Sequence, residues 1–510
     1  MNYLNIYVKK LRRNICRYVL RFNLKRKSPH SLKTGFNGKN IIIPFPMTIT
    51  IDDVGRKKSW RMDNSDHILD DYLNLIFIGK SVGTRLMCAF MIAQFDKNNS
   101  CAKYPSTTID GDNWDNGTEF TFQDQIMDVV KNNSAFIEYG LHGVDHRMYW
   151  DSELVPDGLG GPNKDAFAHY GEWYDAGGLK PWNKKAVKEH LKCFYEISSG
   201  YNISFPISMI PPHNAYYFNP KSDESTGFMM AEYGIKYATT DFFKIANLLP
   251  KEGLLDRVLL LHRDSGNIPH DAVGKVAEEF VNTTSIMTHF GNFYSEDSLS
   301  NRQVAEEWIQ WFDIVKGSSS RYIPKNTKQL NSQWIYCKYA KLDIHNNYII
   351  IDTSSVPQMY YDDGFVGNLL LKICLDKGMH ISDAQIDDNL IVGYYEERGY
   401  AHIILPPLNR GIHKLNLKFS NDYPSIAVLN NGTYNVLSFT FGKEECSFCL
   451  ETYGTQDVTI KIPRSPKEVI SSNKNVIINS FLYDEELQLL TINITAINIQ
   501  GNEALVIVKL

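Results

Sequence analysis

Two rhythms of apolar and polar residues divide the chain. From residue 41 to about 328, short apolar runs alternate with stretches of helical periodicity. The runs predict strands at 47–51, 86–93, 135–139, 207–210, 236–239, 257–261 and 285–288. The stretches between and after them predict helices near 65–80, 120–133, 183–198, 223–233, 271–281 and 302–316. Seven strands alternating with six helices point to the α/β class, as an irregular (β/α)-type barrel of about seven parallel strands. From about 331 the pattern changes to single apolar–polar alternation broken by Asn, Gly and Asp, with strands expected at 348–352, 401–405, 414–419, 435–441, 457–462 and 487–494. This predicts an all-β, sandwich-like region over 331–510, in one or two modules that would split near 421–432.

Two segments fall outside both rhythms. Residues 4–22 place Leu4, Val8, Leu11, Ile15, Val19 and Phe22 on one helical face and lysines and arginines on the other. Such a basic amphipathic helix suits an anionic membrane surface, or docks on an acidic face of its own protein. Residues 23–40 read as a linker, so 1–40 form a unit separate from the 41–328 barrel. Residues 148–182 have no clear periodicity and contain Trp150, Trp173, Tyr174 and Trp182, which predicts a wall or lid over a site.

Charge sharpens this division. The first 40 residues carry eleven Lys or Arg and no acid, so with a net charge of −5 the other 470 residues hold −16. An acidic body argues against nucleic acid as a partner. The eight cysteines are scattered, and the single Cys446-x-x-Cys449 pair lacks the second pair a zinc ribbon needs; they read as reduced thiols. No run of 18 apolar residues exists to span a membrane. The basic N-terminus also lacks the apolar core of a secretory signal, so cytoplasmic residence is expected, with peripheral contact at the inner membrane face.

Candidate chemistry sits at the predicted strand ends. Asp52-Asp53 closes the first strand, His142 and His146 follow the third, Pro211-Pro212-His213-Asn214 follows the fourth, and His289 ends the last. An Asp pair or a His-x3-His pair alone carries little weight. Together, in one order behind successive strands, they supply two imidazoles and a carboxylate for one divalent ion, with a further carboxylate and imidazole for proton transfer.

With these motifs, residues 41–328 resemble the polysaccharide deacetylase family, metal-dependent enzymes that remove acetyl groups from N-acetylated glycans. The resemblance implies Asp52 as general base, Asp53, His142 and His146 as metal ligands, and His289 as general acid, with His262 as a rival acid. It implies one divalent ion, for which zinc suits the set, and an N-acetylated glycan or glycolipid as substrate. His213, Asn214, Trp173 and Tyr174 are the expected substrate contacts, with a backbone N–H near His213-Asn214 holding the oxyanion. Two positions depart from the family pattern: Asp-Asp-Val-Gly stands for Asp-Asp-Gly, and Ile210 stands where an Arg partners the base. Arg56, Arg147 or Arg263 would have to replace that Arg. Hydrolysis of another glycan bond, an O-ester or a glycosidic link, is the alternative. A non-catalytic glycan-binding protein on a retained barrel is a third reading.

Overall fold

The computed structural model describes residues 33–36, 39–56, 59–63, 65–97, 121–144, 172–173, 184–214, 216, 225–242, 252–269, 272–345 and 348–510. The amphipathic segment 4–22 lies outside them, as does most of 148–182.

Seven parallel strands close into a barrel: β1 (Thr48–Val54), β2 (Leu86–Met91), β3 (Ile137–Gly143), β4 (Ser208–Met209), β5 (Tyr237–Thr240), β6 (Val258–Asp264) and β7 (Ser285–His289). β7 pairs with β1 on one side and β6 on the other, which completes the ring. A short antiparallel strand, Gly253–Leu255, lies along β6. Every residue of β1, β2 and β3 is buried, as expected where helices cover one face of a strand and the barrel interior the other. The helices are α1 (Leu69–Val82), α2 (Thr121–Asn132), α3 (Lys184–Gly200), α4 (Thr226–Glu232) and α5 (Asn301–Gly317), and α1 packs against α5. One core unites Ile49, Ile51, Phe90, Leu141, Leu260, Trp308 and Phe312.

The helix expected at 271–281 does not form. Gly274 takes φ +67, its N–H donates to the Gly291 carbonyl, and the segment lies in irregular backbone with Ala277 and Val281 buried. The apolar spacing there serves burial along α5 without a helix of its own.

A further helix, α6 (Thr327–Tyr339), crosses the boundary between barrel and β region. It is buried nearly all round, so the one-sided pattern that marks a surface helix is missing. Trp334 packs with Leu259 and Leu261 of β6, while Gln333 Nε2 donates to the carbonyls of Pro44 and Leu370.

The C-terminal region is layered and antiparallel except for one parallel pairing, Gly393–Glu397 with Ala427–Leu429. A nine-stranded sheet forms its spine. Its first half packs on a five-stranded sheet around Ile351, Leu371, Ile403 and Leu415, and its second half on a four-stranded sheet around Val436, Phe448, Ile492 and Val506. The two cores share strands of the spine, with Leu371, Ile403 and Ala427 in the first and Leu370, Ile404 and Val428 in the second. Residues 33–42 correct the linker assignment: strands Lys33–Phe36 and Lys39–Ile42 join the spine sheet beside Leu369–Cys374.

The β region braces the barrel at the N-terminal ends of its strands. Arg85, just before β2, donates to Ser134 O, Glu138 Oε2 (3.3 Å) and Ile499 O, and stacks over Tyr453. Thr433 Oγ1 donates to Ala135 O, and Gln500 Nε2 to Tyr139 O. Arg85 and Glu138 are both buried. Arg85→Ala therefore leaves a buried carboxylate without its cation and is expected to lower stability by about 3–5 kcal/mol. Urea unfolding of the full chain checks this, and an unchanged midpoint would show that Arg85 is not part of the brace.

Candidate active site

At the opposite end, the carboxyl ends of the strands, the acid pair owes its geometry to a backbone irregularity. In a regular strand Asp52 and Asp53 would point to opposite faces. Asp53 instead takes φ +60, a left-handed conformation Asp tolerates better than most residues, and the β1–β2 register slips between Ile51 and Val54. Both carboxylates thereby reach the barrel mouth. Gly55 follows at φ +100, where a Cβ would lie 2.6 Å from the Met91 carbonyl, so the chain leaves the acids by a turn only glycine fits.

Asp52 is gripped by Arg263 on β6. Arg263 Nη1 donates to Asp52 Oδ1 at 2.6 Å and Nη2 to Oδ2 at 2.7 Å, a bidentate pair. The remaining guanidinium contacts go to Thr50 Oγ1 and to Asn214 Oδ1, which accepts from both Nε and Nη2. Arg263 is wholly buried. Of the three arginines considered for the place left by Ile210, this is the one on Asp52, and the cation comes from β6 instead of the turn after β4. Arg147 lies outside the described residues, and Arg56 lies over the Trp60 ring at 4.5 Å.

Ile210 has a different task. Its side chain packs on Met87 and Ala89, and its carbonyl accepts a 2.6 Å hydrogen bond from His142 Nδ1. That bond turns Nε2 of His142 toward Asp53 Oδ1, 3.1 Å away. Burial works against a charged His142, but the Asp53 hydrogen bond, the charges of Asp52 and Asp53 and the Ile210 carbonyl outweigh it and hold its pKa above the ordinary histidine value. With Nδ1–H committed to Ile210, the Nε2 and carboxylate lone pairs converge, and a cation must stand between them. A shared proton satisfies that demand, and so does a divalent metal ion of the kind imidazole and carboxylate bind. Among the described residues no group of three His, Cys, Asp or Glu forms a metal cluster. His146, the expected third ligand, lies outside the described residues.

His289 ends β7 directly beside Asp52 in register, with Nε2 4.0 Å from Asp53 Oδ2 and its side chain partly exposed. Trp60 packs edge-on to it, ring centroids 5.8 Å apart. The Trp60 loop is held from below: its N–H donates to Tyr294 Oη, and Arg61 donates to Asp71, which also accepts from Asn301 and pairs with His67. Burial disfavours the Asp71 charge, yet His67, Arg61 and Asn301 together keep its carboxyl below the usual range. His262, the rival acid, is buried against Phe242 on the face of β6 opposite Arg263. Only His289 of the two stands with the acid pair.

Of the four expected substrate contacts, two need correction and two lie outside the described side chains. Trp173 is wholly buried in the barrel core beside His190, because neighbouring Glu172 is drawn inward to accept from His190 Nδ1 and the Val144 N–H. Asn214 is 3% exposed, and its carboxamide oxygen holds Arg263 and the Asp241 N–H, which makes it a positioning residue. Its own N–H bonds the Pro211 carbonyl and so does not serve as an oxyanion donor. His213 lies in the turn Pro212–Asn214, its side chain outside the described set, as is Tyr174. Sequence reasoning missed Trp60 and the Arg61–His67–Asp71 group; their one signal is a dense run of aromatic, basic and acidic residues directly after the acid pair.

No protein-family model matches the chain, and no curated protein matches it significantly. The likeness to polysaccharide deacetylases rests on the motifs alone.

The Asp52–Arg263 pair generates a direct test. Asp52→Asn and Arg263→Met, singly and combined, should show a coupling of about 1–3 kcal/mol in a denaturation cycle, since each single variant strands a buried charge or donor. Additive effects would mean the pair is not formed.

Proposed function

We propose that this protein is a metal-dependent hydrolase that removes acetyl groups from N-acetylated sugars of a glycan or glycolipid. The observation that carries the reading is the convergence, at one barrel mouth, of an Arg-gripped Asp52, an Asp53–His142 pair and His289. The donors Asp53 and His142, with His146 as the third, suit one divalent ion, and zinc fits that set. When bound, such an ion supplies Lewis acidity and lowers the pKa of water to roughly 7.

The chain's own residues then divide the proton work. Asp52, fixed by both guanidinium nitrogens, takes the proton from water as its oxygen bonds to the acyl carbon. His289, beside Asp52 in register, delivers a proton to the sugar nitrogen as the C–N bond breaks, releasing acetate and a free amine. Ile210 fixes the His142 tautomer, and Trp60 limits the swing of the His289 ring. The acidic body makes nucleic acid an unsuitable partner.

No helix among the described residues is long and apolar enough to cross a membrane. Peripheral binding at the inner membrane face rests on residues 4–22. Among the described residues five cysteines are free thiols and Cys193 is disulfide-bonded, which departs from the all-reduced expectation.

Metal analysis and acetate release test the proposal together. The parent should hold about one divalent ion per chain and release acetate from N-acetylated oligosaccharides. Asp53→Asn and His142→Ala should lose the metal. Asp52→Asn and His289→Gln should keep it while activity falls by roughly 10²–10⁴-fold. Metal without acetate, but with release of sugar or of an O-acyl group, would move the assignment to another bond. No metal after reconstitution would overturn it and leave a glycan-binding scaffold.

A further inference from the structure

A second concave site lies away from the barrel mouth, between the barrel and the β region. It is a cavity of about 300 Å³ where the last turn of α1, the end of α5 and the segment after it meet the hairpin Gly393–Glu397 and Tyr400–Leu405. In a β/α barrel the helices end where the following strands begin, so this site is at the pole opposite Asp52.

Its wall is rich in cations and in polar groups without partners. Lys316 donates to Glu397 at 2.9 Å, and Glu396 is engaged by His380 and Tyr394. Behind the wall, Lys372 donates to the carbonyls of Lys316, Ser318 and Arg321. Lys80 and Lys325 also line the cavity, and neither makes a described hydrogen bond to a carboxylate; Lys325 Nζ sits 5.0 Å over the Tyr395 ring. Tyr395 stacks on His402 with centroids 4.3 Å apart and planes 3° from parallel. His402, Asn430 and Tyr322 are each at least 98% buried and line the same space. His402 Nδ1, Asn430 Oδ1 and Tyr322 Oη have no hydrogen-bond partner in the protein. Unpaired polar atoms on three separate elements around one cavity are rare in a finished core, because each costs about 1–3 kcal/mol if left dry.

We infer that this cavity binds a small anionic ligand bearing hydroxyl groups, of the sugar-phosphate or uronate kind, with Lys325 and Lys80 taking the anion. Asn430 Oδ1 accepts from a ligand hydroxyl, while Tyr322 Oη and His402 Nδ1 complete the polar ring. The volume is at the small end of ligand sites, suited to one sugar ring. An acidic body gives no general attraction to anions, so selectivity falls to the local lysines. Burial, then the neighbouring Lys316 charge, pushes Lys325 down to about 8, and a bound anion offsets both.

Calorimetric titration of the full chain with glucose 6-phosphate and with glucuronate tests this, with glucose and matched sodium chloride as controls. At least one anionic sugar should bind saturably and glucose should not; which one binds tells phosphate from carboxylate recognition. Lys325→Met and Asn430→Ala should each weaken binding by about tenfold or more, while Asp52→Asn should bind as the parent does, placing the site away from the mouth. Affinity should also fall in the parent between pH 7 and 9 as Lys325 loses its proton. The other groups facing it are Lys80, Lys316, Lys372, Glu396, Glu397 and His402, the last already neutral because burial and the lysines hold it well below the ordinary histidine value. The pH series gives a readout that needs no variant to fold. Saturable binding by neither sugar, as for a cavity that holds only water, or equal binding by Lys325→Met, would overturn the inference.

Discussion

A guanidinium buried without contact with water is tolerable only if its charge and its five N–H donors are met, and Arg263 imposes that demand on the barrel mouth. Its partners come from places far apart in sequence: Asp52 and Thr50 on β1 and Asn214 in the turn after β4. Removing any of them strands charge or donors in a dry interior. The pair therefore sets the relative position of β1, β6 and that turn, and every other site residue is placed against that frame. Asn214 shows how far the demand reaches. It sits at φ +56 so that one carboxamide oxygen can serve Arg263 and the Asp241 N–H together.

Within that frame the two acids have separate environments despite adjacent positions. Asp52 faces a permanent cation. Asp53, turned by its left-handed backbone, faces two imidazoles, one pinned by Ile210 and the other at the end of β7. Chemistry that moves a proton from one place and delivers it to another needs such a division, and a single backbone irregularity in β1 creates it.

The strand ladder of the barrel was legible in number and order, with strand ends displaced by up to four residues, because parallel strands buried on both faces appear as compact apolar runs. The β region was legible for the complementary reason, its single alternation. Failures occurred where tertiary contacts override local pattern. Residues 271–281 have helical spacing, but Gly274 and the fit against α5 hold them irregular. Thr327–Tyr339 is helical and buried on nearly all sides, so no broad polar face announced it. In the site, Asp52, Asp53, His142 and His289 were legible as strand-end chemistry, and the structure brings them together. The choice of Arg263 was not, since three arginines satisfied the same local description and only the closure of the barrel brings β6 near β1, with β7 alone between them. Trp173 failed for a related reason: an aromatic residue in an aperiodic loop looks like a site wall until a buried Glu172–His190 contact draws it into the core.

The two ends of the barrel also differ in what they can do, and burial explains why. At the mouth, charges are matched by built-in partners, which makes the geometry rigid and suits transfer of protons over short, fixed distances. At the brace end, Arg85 and Lys372 are likewise satisfied within the protein, yet Lys325, Asn430, Tyr322 and His402 face a shared space with capacity unspent. A sheet as well packed as the nine-stranded spine has no structural need to keep three polar atoms unpaired around one lysine. Hydrophobic residues of equal size would brace the interface at least as well. The polar choice at that junction is one that recognition explains and bracing does not.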